Sequence, residues 1–336
     1  PRMTPALPKP LQILSDICAQ DGIAFEVLDG YSAHVARISK GGRSFLTGAG
    51  KVNIYPLNNA AAVTIARDKA FTHYVLREAG FAAPRGAHFF LTKERGRYRR
   101  PPGREHDDAL RYAAELSRGF TLPLIVKPNT GSSAKLVTYV RSEAELRAAL
   151  DEIAQDDEAC IVQEFIEAPE FRLFLLDGEV AFCYRKTRAL LTGDGQTSVR
   201  ELFARMKGKP PSDAFLRHRL EKRSLTLESV LPAGAIIEAD FVANISAGGL
   251  IAGFHEADAD LRVWARKLAR ATKLRVAGID VFSVSELRNL DDAIVTDVNG
   301  SPNLTTLHDL GHHDLVWNIW REILAKAFGK AESGGI

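Results

Sequence analysis

The chain contains 336 residues, of which 46% are hydrophobic and 26% are charged, and this composition is typical of a globular protein with two or three subdomains. The formal net charge of +2 excludes any argument for nucleic acid or an anionic membrane from the overall charge. No apolar stretch reaches the roughly 18 residues that a membrane helix needs.

The cysteines and the first residues of the chain favour a cytoplasmic protein. Cys18, Cys160 and Cys183 show no CxxC spacing, and the latter two lie in apolar runs typical of strands. We therefore expect buried thiols, and neither disulfides nor a zinc site. The stretch "PRMTPALPKPLQ" lacks the apolar core of a signal peptide, so we predict a cytoplasmic protein without a membrane partner.

The first predicted elements are a helix and three short strands. The strand segments read "FEVLDG", "AHVARIS" and "RSFLTG", and glycine turns separate them. Helical spacing then runs from Asn59 to Glu78, with Gly80 as the expected residue just beyond the helix end. The stretch from Thr92 to His106 is basic and rich in proline and glycine, so it is predicted to be a loop or linker.

From Leu122 onward, strands and helices alternate and antiparallel hairpins occur. Ser142 with Glu145, and Ser198 with Glu201, match the capping-box pattern of helix starts. The other predicted elements are a hairpin around Asp177-Gly178, a hairpin from "GIDVF" to "IVTDVN", and helices from Asp258 to Lys273 and from His313 to Phe328. The pattern predicts an α+β fold, and neither a GxGxxG nor a P-loop fingerprint occurs.

The stretch "IVTDVNGSPNLTTL" ends an apolar strand with two oxygen-bearing side chains. Asp297 and Asn299 lie two residues apart, so on a strand they point the same way. Taken alone, turn formation before Gly-Ser-Pro is the more ordinary explanation of these residues. The predicted hairpin also brings Asp280 near them, and three such groups on one sheet face favour a divalent cation between them.

Two further stretches indicate contacts with a nucleotide. Lys127 ends an apolar strand before the small-residue loop from Asn129 to Ala134, and backbone N–H groups together with a lysine can hold phosphate. A hairpin with a solvated lysine explains the same stretch equally well. In "CIVQEFIEAPEFRLF" the strand ends at Gln163 and Glu164, where backbone groups can pair with an adenine edge and a carboxylate can bind a ribose hydroxyl.

The order of these motifs resembles that of the ATP-grasp superfamily of ligases. In chain order they are "DKAFTHYVLREAGFAAP", "IVKPNTGS", "VQEFIEAPEFR", "NISAGG", "GIDVF" and "DVNGSPNL". Within that superfamily the chain resembles the ATP-grasp module of cyanophycin synthetases and the C-terminal module of bifunctional glutathione synthetases. The resemblance extends from Ser32 to Leu307 and implies an ATP-grasp fold, in which two α+β subdomains grip ATP.

The element pattern and the resemblance together divide the chain into four ranges. These are a short N-terminal α/β unit (1–58), the lysine helix with the basic linker and a connecting helix (59–120), a small lid subdomain (121–190), and a C-terminal subdomain with the magnesium site (191–336). No stretch matches the Mur-ligase-like module that cyanophycin synthetases carry. We therefore expect that the chain is not a complete enzyme of that kind.

The resemblance also implies roles for particular residues. The ATP phosphates are assigned to Lys69, Lys127, Asn244, Gly248 and Gly249. The adenine hinge is assigned to Gln163, Glu164 and Ile166, and the ribose to Glu170. Magnesium, with manganese as an alternative, is assigned to Asp280, Asp297 and Asn299, and Arg172 and Arg185 are the catalytic side chains facing the substrate carboxylate or acyl-phosphate.

Three positions depart from the pattern of the family. His73 stands where a second lysine is frequent, and we expect a partly exposed helix residue there. Asp297 stands where glutamate is usual, which shortens one metal-ligating arm. Asn303 stands where a glycine is usual, and a glycine lets the backbone approach a substrate closely, so we expect Asn303 to narrow or re-aim the acceptor pocket.

These features favour an ATP- and magnesium-dependent carboxylate–amine ligase that forms an amide through an acyl-phosphate on an amino acid or short peptide. A phosphotransferase on the same fold and a degenerate ATP-binding protein are the alternatives. The basic stretch "KERGRYRR" raises nucleic-acid binding, which we do not expect because one short basic loop is usually solvated surface. The substrates, and whether the chain forms a homo-oligomer, stay open.

Overall fold

The computed structural model describes residues 6–91, 105–119, 123–131, 135–206, 213–243 and 250–329. Its first elements are a helix and a three-stranded antiparallel sheet, which confirms the predicted order. They are α1 (Lys9–Gln20), β1 (Ala24–Val27), β2 (Val35–Lys40) and β3 (Arg43–Gly48). Leu11, Leu14 and Ile17 on one side of α1 are fully buried, so this helix packs as an amphipathic element.

The helical segment after Asn59 is interrupted, although the spacing predicts one continuous helix. It forms α2 (Ala60–Arg67) and α3 (Lys69–Glu78). Between them Asp68 has an extended backbone, and its carboxylate accepts a hydrogen bond from the backbone N–H of Phe71 at 2.9 Å. Asp68 therefore ends α2 and caps α3, and this break places Lys69 in the first turn of α3. Gly80, with φ +78°, follows the helix end as predicted.

A four-stranded antiparallel sheet carries two helices on one face. In the order β4-β7-β5-β6, its strands are β4 (Gly86–Phe90), β7 (Ala159–Glu164), β5 (Leu124–Pro128) and β6 (Thr138–Val140). The helices are α4 (His106–Gly119) and α5 (Glu143–Ile153), packed through buried apolar side chains that include Leu124, Val126 and Leu150. Ser142 caps α5 by accepting the N–H of Glu145 at 3.2 Å, as predicted, whereas the sequence pattern does not predict β4.

A five-stranded antiparallel sheet forms the centre of the protein. In the order β12-β9-β8-β13-β14, its strands are β12 (Leu250–Phe254), β9 (Glu179–Thr187), β8 (Glu170–Leu176), β13 (Val276–Phe282) and β14 (Ile294–Asn299). One face packs against α2, α3 and α8 (Ala259–Thr272). The other face packs against α1, α9 (Thr305–Asp309) and α10 (His313–Phe328). The predicted bounds of α8 and α10 are confirmed.

A β-bulge shifts the register of the predicted β8–β9 hairpin. Its two-residue turn consists of Asp177 and Gly178, both with positive φ, as this turn type requires. Beyond the turn Leu175 pairs with Val180, but Phe174 pairs with Phe182. Ala181 is therefore an extra residue in β9. A one-residue shift turns the following side chains to the other face. The bulge therefore decides which side chains of β9 lie on the same face as Glu170 and Arg172 of β8.

A second bulge lies in the β13–β14 hairpin. Val281 pairs with Val295, whereas Asp280 pairs with Asp297. Thr296 is therefore the extra residue, and its hydroxyl donates to the Asp280 carbonyl at 3.2 Å. In a regular register without the bulge, Asp280 would pair with Thr296, and Asp297 would point to the opposite face.

An insertion between β9 and β12 has its own apolar core. It contains β10 (Leu190–Thr192), α6 (Val199–Ala204), α7 (Ala214–Glu221) and β11 (Ile236–Glu238), with Leu191, Leu216 and Ile237 buried among them. Ser198 caps α6 by accepting the N–H of Glu201 at 3.3 Å, as predicted. Helix α7 contacts the four-stranded sheet, where the rings of Phe215 and Tyr139 lie 5.4 Å apart.

The predicted α+β class is confirmed, but the sheets group the segments differently from the predicted ranges. β4 pairs within the sheet of β5, β6 and β7, and the β8–β9 hairpin pairs with β13. The predicted boundaries after residues 120 and 190 therefore each separate strands of one sheet, because strands distant in the chain pair with each other. The cysteines Cys18, Cys160 and Cys183 are buried and free. None of the helices in the described ranges is long and apolar enough to span a membrane.

Candidate active site

One face of the five-stranded sheet is apolar at one end and charged at the other. Along β8, Phe174 and Leu176 are buried in the cluster that includes α1 and α10, whereas Glu170 and Arg172 lie toward the other end. These four side chains share one face because alternate strand residues point the same way. Neighbouring strands add Lys186 of β9, Asp280 of β13 and Asp297 of β14 at the charged end.

Four of these charged side chains form a largely buried ion network. Arg172 Nη1 lies 2.9 Å from Asp280 Oδ2, and Lys186 Nζ lies 2.8 Å from Asp280 Oδ1. The same ammonium group lies 2.6 Å from Glu170 Oε1. The four side chains are between 12% and 19% exposed, so water screens their charges only weakly.

The network shifts the pKa values of its members. Burial raises the pKa of Asp280, but the charges of Arg172 and Lys186 outweigh burial, and its pKa lies below the usual value. Burial lowers the pKa of Lys186, but the carboxylates of Asp280 and Glu170 outweigh it, and its pKa is raised. Burial raises the pKa of Glu170, and the charge of Asp280 adds to this effect against that of Lys186. Asp280 and Lys186 are therefore held in their charged forms.

Gly278 lets the Arg172 side chain lie flat across β13. A Cβ at this position would come within 3.1 Å of Arg172 Cζ and 2.8 Å of Pro302 Cβ. Tyr184, paired with Arg172 across β8 and β9, is buried on the same face. The glycine and the two strands thus fix the guanidinium beside Asp280.

The predicted metal ligands lie together on the β13–β14 hairpin. Asp280 and Asp297 are direct cross-strand partners, and Asn299, opposite Gly278, lies on the same face. Within the described residues, no ion pair or hydrogen bond engages the Asp297 carboxylate, and Asn299 Oδ1 accepts the N–H of Ser301 at 2.8 Å. Carboxylate and amide oxygens are the ligands that Mg²⁺ uses, often with phosphate oxygens completing the shell. The donor set therefore fits this cation.

The predicted metal site contains only two acidic ligands and no histidine. In the part of the chain that the structure describes, no group of three or more His, Cys, Asp or Glu residues is arranged to hold a metal. The predicted triad contains two carboxylates and one amide. Such a site binds a hard cation mainly together with the oxygens of a substrate.

Lys127 approaches the charged end from the four-stranded sheet. It is 7% exposed and, among the described residues, forms no ion pair. Burial, followed by the charge of Lys69, lowers its pKa to about 8, against the attraction of Asp297, Asp280 and Glu170. A buried ammonium without a carboxylate partner is suited to an anionic ligand.

Asn129 joins the end of β5 to the start of α3. Its Oδ1 accepts the N–H of Ala70 at 3.0 Å, and its carbonyl accepts the N–H of Lys69 at 3.1 Å. Lys69 Nζ in turn donates to the carbonyl of Gly131 at 3.1 Å. These bonds hold Lys69 at the loop that follows Lys127, so the two lysines fit a polyphosphate between them.

The predicted adenine hinge lies at the end of β7. Gln163 is 5% exposed, and its Oε1 has no hydrogen-bond partner within the described ranges. The carboxylate of Glu164 is already bound by Arg85, through the backbone N–H and Nε, both at 2.8 Å. Ile166 is half-buried just beyond the strand. The unsatisfied amide oxygen of Gln163 fits a donor such as the exocyclic amine of adenine.

His73 is buried, and the expectation of partial exposure is wrong. It is 6% exposed, and its Nε2 has no partner in the described part of the chain. It lines a cavity of about 100 Å³ with Tyr74, Arg77 and His88. Burial, followed by the charges of Lys127 and Arg77, lowers the pKa of His73 to about 3. His73 lies one helical turn after Lys69, and its ring is neutral near the two lysines.

The chain is similar to one family model and to several known proteins. A family model described as D-ala D-ala ligase C-terminus matches residues 101–193. The glutathione biosynthesis bifunctional protein GshAB of Streptococcus mutans is 26% identical over 313 residues, which cover 86% of this chain and 37% of that protein. A cyanophycin synthetase of a Nostoc species is 27% identical over 293 residues, covering 82% and 30%. The chain spans about a third of the length of these relatives.

The fold is also that of a solved enzyme. A bifunctional glutathione synthetase from Pasteurella multocida superposes with a TM-score of 0.52 and 19% identity, covering 96% of this chain and 44% of that one. The chain has the ATP-grasp fold. We call its charged sheet end and the two lysines, Lys69 and Lys127, the ATP-grasp site.

Arg185 is not part of the ATP-grasp site, although the resemblance assigns it to the substrate. It pairs with Phe171 across β8 and β9, on the face that packs against α8, and Arg185 Nη1 lies 2.7 Å from Glu286 Oε1. The neighbouring Lys186 faces the site instead. A two-residue turn without a bulge would pair Glu170 with Arg185. The extra residue Ala181 shifts this pairing to Lys186, and for that reason the sequence pattern does not identify Lys186 as a site residue.

Three residues assigned to the ATP-grasp phosphate site lie outside the described residues. They are Asn244, Gly248 and Gly249. Most of the basic stretch from Thr92 to His106 and the end of the loop from Asn129 to Ala134 also lie outside. These assignments stay predictions.

Asn303 lies just before the short helix α9 and forms an Asx turn with its first residue. Its Oδ1 accepts hydrogen bonds from the backbone N–H of Thr305 at 2.8 Å and from the Thr305 hydroxyl at 2.6 Å. The preceding residue is fixed as well, because the Tyr55 hydroxyl donates to the Pro302 carbonyl at 2.5 Å. The Asn303 side chain is thus bound within the turn that follows the predicted metal ligands.

Proposed function

We propose that this chain is an ATP-dependent ligase that joins a carboxylate to an amine through an acyl-phosphate, on an amino acid or a short peptide. One observation carries the proposal. Four cationic side chains, Lys69, Lys127, Arg172 and Lys186, converge with carboxylates at the charged end of one sheet face. The similarity of the chain to GshAB and to a cyanophycin synthetase supports it.

The charge distribution suits this reaction. Phosphorylation of a carboxylate brings two anions into contact, so the site must neutralise the approach and the charge that develops in the transition state. Lys69 and Lys127 hold the phosphates, and Arg172 orients the substrate carboxylate. Arg172 can do so because its guanidinium has further N–H donors beyond the one that binds Asp280.

Separate groups of residues bind the base, the ribose and the phosphates of the nucleotide. Gln163, Glu164 and Ile166 receive adenine, and Glu170 binds the ribose. Asn244, Gly248 and Gly249 complete the phosphate contacts. The unsatisfied Oε1 of Gln163 supports the adenine assignment.

Asp280, Asp297 and Asn299 would hold Mg²⁺, or Mn²⁺ in its place. When bound, the cation supplies charge neutralisation of the phosphate oxygens. Asp297 is prepared for this role because its carboxylate has no partner within the described residues. Asp280 is the shared ligand, since it also holds Arg172 and Lys186.

The bonds change in two steps. An oxygen of the substrate carboxylate forms a bond to the γ-phosphorus as ADP leaves. The amine nitrogen then forms a bond to the acyl carbon as phosphate leaves, and the nitrogen loses a proton. Water has to be excluded between the steps, because it would hydrolyse the acyl-phosphate.

The test is phosphate release from ATP and Mg²⁺ across a panel of amino acids and dipeptides, offered singly and in pairs to the full protein. We expect release only when a carboxylate and an amine are both present. Asp297→Ala should abolish release. Glu286→Ala is the matched control, because it removes a carboxylate from the opposite face of the sheet.

Other outcomes point to the alternatives. Transfer of phosphate to a hydroxyl without an amine would replace the ligase by a phosphotransferase. ATP binding without turnover by any member of the panel would indicate a degenerate ATP-binding protein. Phosphate release by the Asp297→Ala variant would contradict the assignment of Asp297 as a metal ligand.

A further inference from the structure

Lys186 occupies a central position among the charged groups of the ATP-grasp site. Its ammonium lies 2.6 Å from Glu170 Oε1 and 2.8 Å from Asp280 Oδ1, and its side chain is 12% exposed. It therefore bridges the carboxylate proposed for the ribose and a carboxylate proposed for magnesium. No other residue in the described ranges forms ion pairs with both.

Both oxygens of Asp280 face a cation of the protein. Lys186 lies at Oδ1 and Arg172 Nη1 lies 2.9 Å from Oδ2. A metal ion that binds Asp280 has to compete with these cations, which lie at ion-pair distances of 2.8 and 2.9 Å. Lys186 is the more readily displaced of the two, because it is a point charge on a flexible stem whereas the Arg172 guanidinium is packed over Gly278.

The charge balance also opposes a free cation. Among the named groups, the carboxylates of Glu170, Asp280 and Asp297 face the cations of Lys69, Lys127, Arg172 and Lys186. Cations outnumber anions, so this cluster attracts a polyanion and repels a divalent metal that arrives alone. A metal bound to a polyphosphate arrives as a net anion and meets no such barrier.

We infer that Lys186 holds the place of the metal in the nucleotide-free protein. Its ammonium neutralises Glu170 and Asp280 and leaves Asp280 when the metal binds, so the metal enters only together with the polyphosphate. The inference rests on the proposed function, which makes Asp280 a metal ligand. Lys186 is thus a positioning residue that sets the order of binding.

The test measures Mn²⁺ binding by the loss of its free-ion signal in electron paramagnetic resonance, without nucleotide. We expect weak binding to the unmodified protein and binding tighter by about tenfold in Lys186→Met, because a positive charge leaves the site and Asp280 Oδ1 becomes free. Lys326→Met is the matched control. It removes a lysine that lies 2.9 Å from Asp177, away from the site, and should leave Mn²⁺ binding unchanged.

Loss of Lys186 leaves two carboxylates close together, which can prevent folding. The double variant Glu170→Gln with Lys186→Met removes both charges and keeps the shape, and it should show the same gain in Mn²⁺ affinity. If both variants fold, as judged by circular dichroism, and neither binds Mn²⁺ more tightly than the unmodified protein, the inference is overturned. A lysine that only stabilises the fold would give that result.

A separate measurement isolates the proposed function. In the presence of ADP, Asp280→Asn should weaken Mn²⁺ binding, because a metal ligand loses its charge. If Asp280→Asn has no effect there, the assignment of Asp280 to the metal fails, and the inference fails with it. If Asp280→Asn weakens binding while removal of Lys186 changes nothing, only the inference fails.

Discussion

The two ends of one sheet face differ in what they contribute. At the apolar end, Phe174, Leu176 and Phe182 are buried against α1 and α10. At the charged end, a few residues further along the same strands, Glu170, Arg172 and Lys186 are held in an ion network. The strands are continuous, so the same backbone carries both.

The two ends separate stability from chemistry in this fold. Burial of apolar area stabilises by about 25 cal/mol per Å², so the apolar end anchors the strands. Burial of ions has a desolvation cost that their attraction only partly offsets, so the charged end contributes little net stability. Its groups are nevertheless fixed, because the anchored strands fix their backbone.

The largest expected effect is at the apolar end. Phe174→Ala should lower the free energy of unfolding by about 4 kcal/mol, because a large buried ring is replaced by a cavity. Phe174 is 2% exposed and stacks on Phe182 with ring centroids 5.1 Å apart. Guanidinium unfolding measures the loss, and calorimetry with ADP at low temperature should give unchanged affinity. A selective loss of ADP affinity in the folded variant would contradict the separation.

A smaller loss of stability is expected at the charged end. Arg172→Met should lower the free energy of unfolding by about 2 kcal/mol, because Lys186 still compensates the Asp280 carboxylate after the arginine is removed. In the ligase assay this variant should lose most of its activity while it still binds ADP. Full activity would remove Arg172 from the substrate site, and a loss of stability as large as that of Phe174→Ala would erase the difference between the two ends.

The pH dependence of nucleotide binding follows from Lys127. Since its pKa is about 8 in the folded protein, its charge is lost as pH rises through that value, and ADP affinity should fall by about tenfold between pH 7 and 9. Lys127→Met should bind ADP weakly at both pH values. The measurement is a calorimetric titration in buffers of equal ionic strength, and a flat profile in the unmodified protein would contradict the prediction.

Stability should respond to the same group with the opposite sign. The folded protein holds the Lys127 proton less tightly than the unfolded chain, because the pKa falls from 10.5 to about 8. The contribution of Lys127 to stability therefore rises between these pH values. The difference between the unmodified protein and Lys127→Met in denaturant unfolding isolates this contribution.

The smallest effect is expected on the other face of the sheet. Arg185→Met removes a half-exposed ion pair with Glu286, and such pairs contribute about 0.5 kcal/mol or less. Unfolding should be nearly unchanged, and so should ADP affinity and ligase activity. A strong loss of activity would support the role in substrate binding that the resemblance assigns to Arg185.

Most of the helices and strands can be predicted from local sequence patterns. The helices α8 and α10 follow from apolar spacing, and α8 also from its capping residue Asp258, because these signals act within one or two turns of the chain. The hairpin at Asp177-Gly178 follows from its turn residues. The order of the motifs around Lys69, Lys127 and Asp280 also pointed to the ATP-grasp superfamily.

Tertiary structure alone decided which charged side chains meet. Ala181 and Thr296 are unremarkable in the sequence, yet each is an extra residue in its strand. The first turns Lys186 to the site in place of Arg185, and the second brings Asp297 beside Asp280. The physical reason is that a strand alternates its faces at every residue, so a single bulge, fixed by pairing between whole strands, reverses an assignment that local spacing cannot determine.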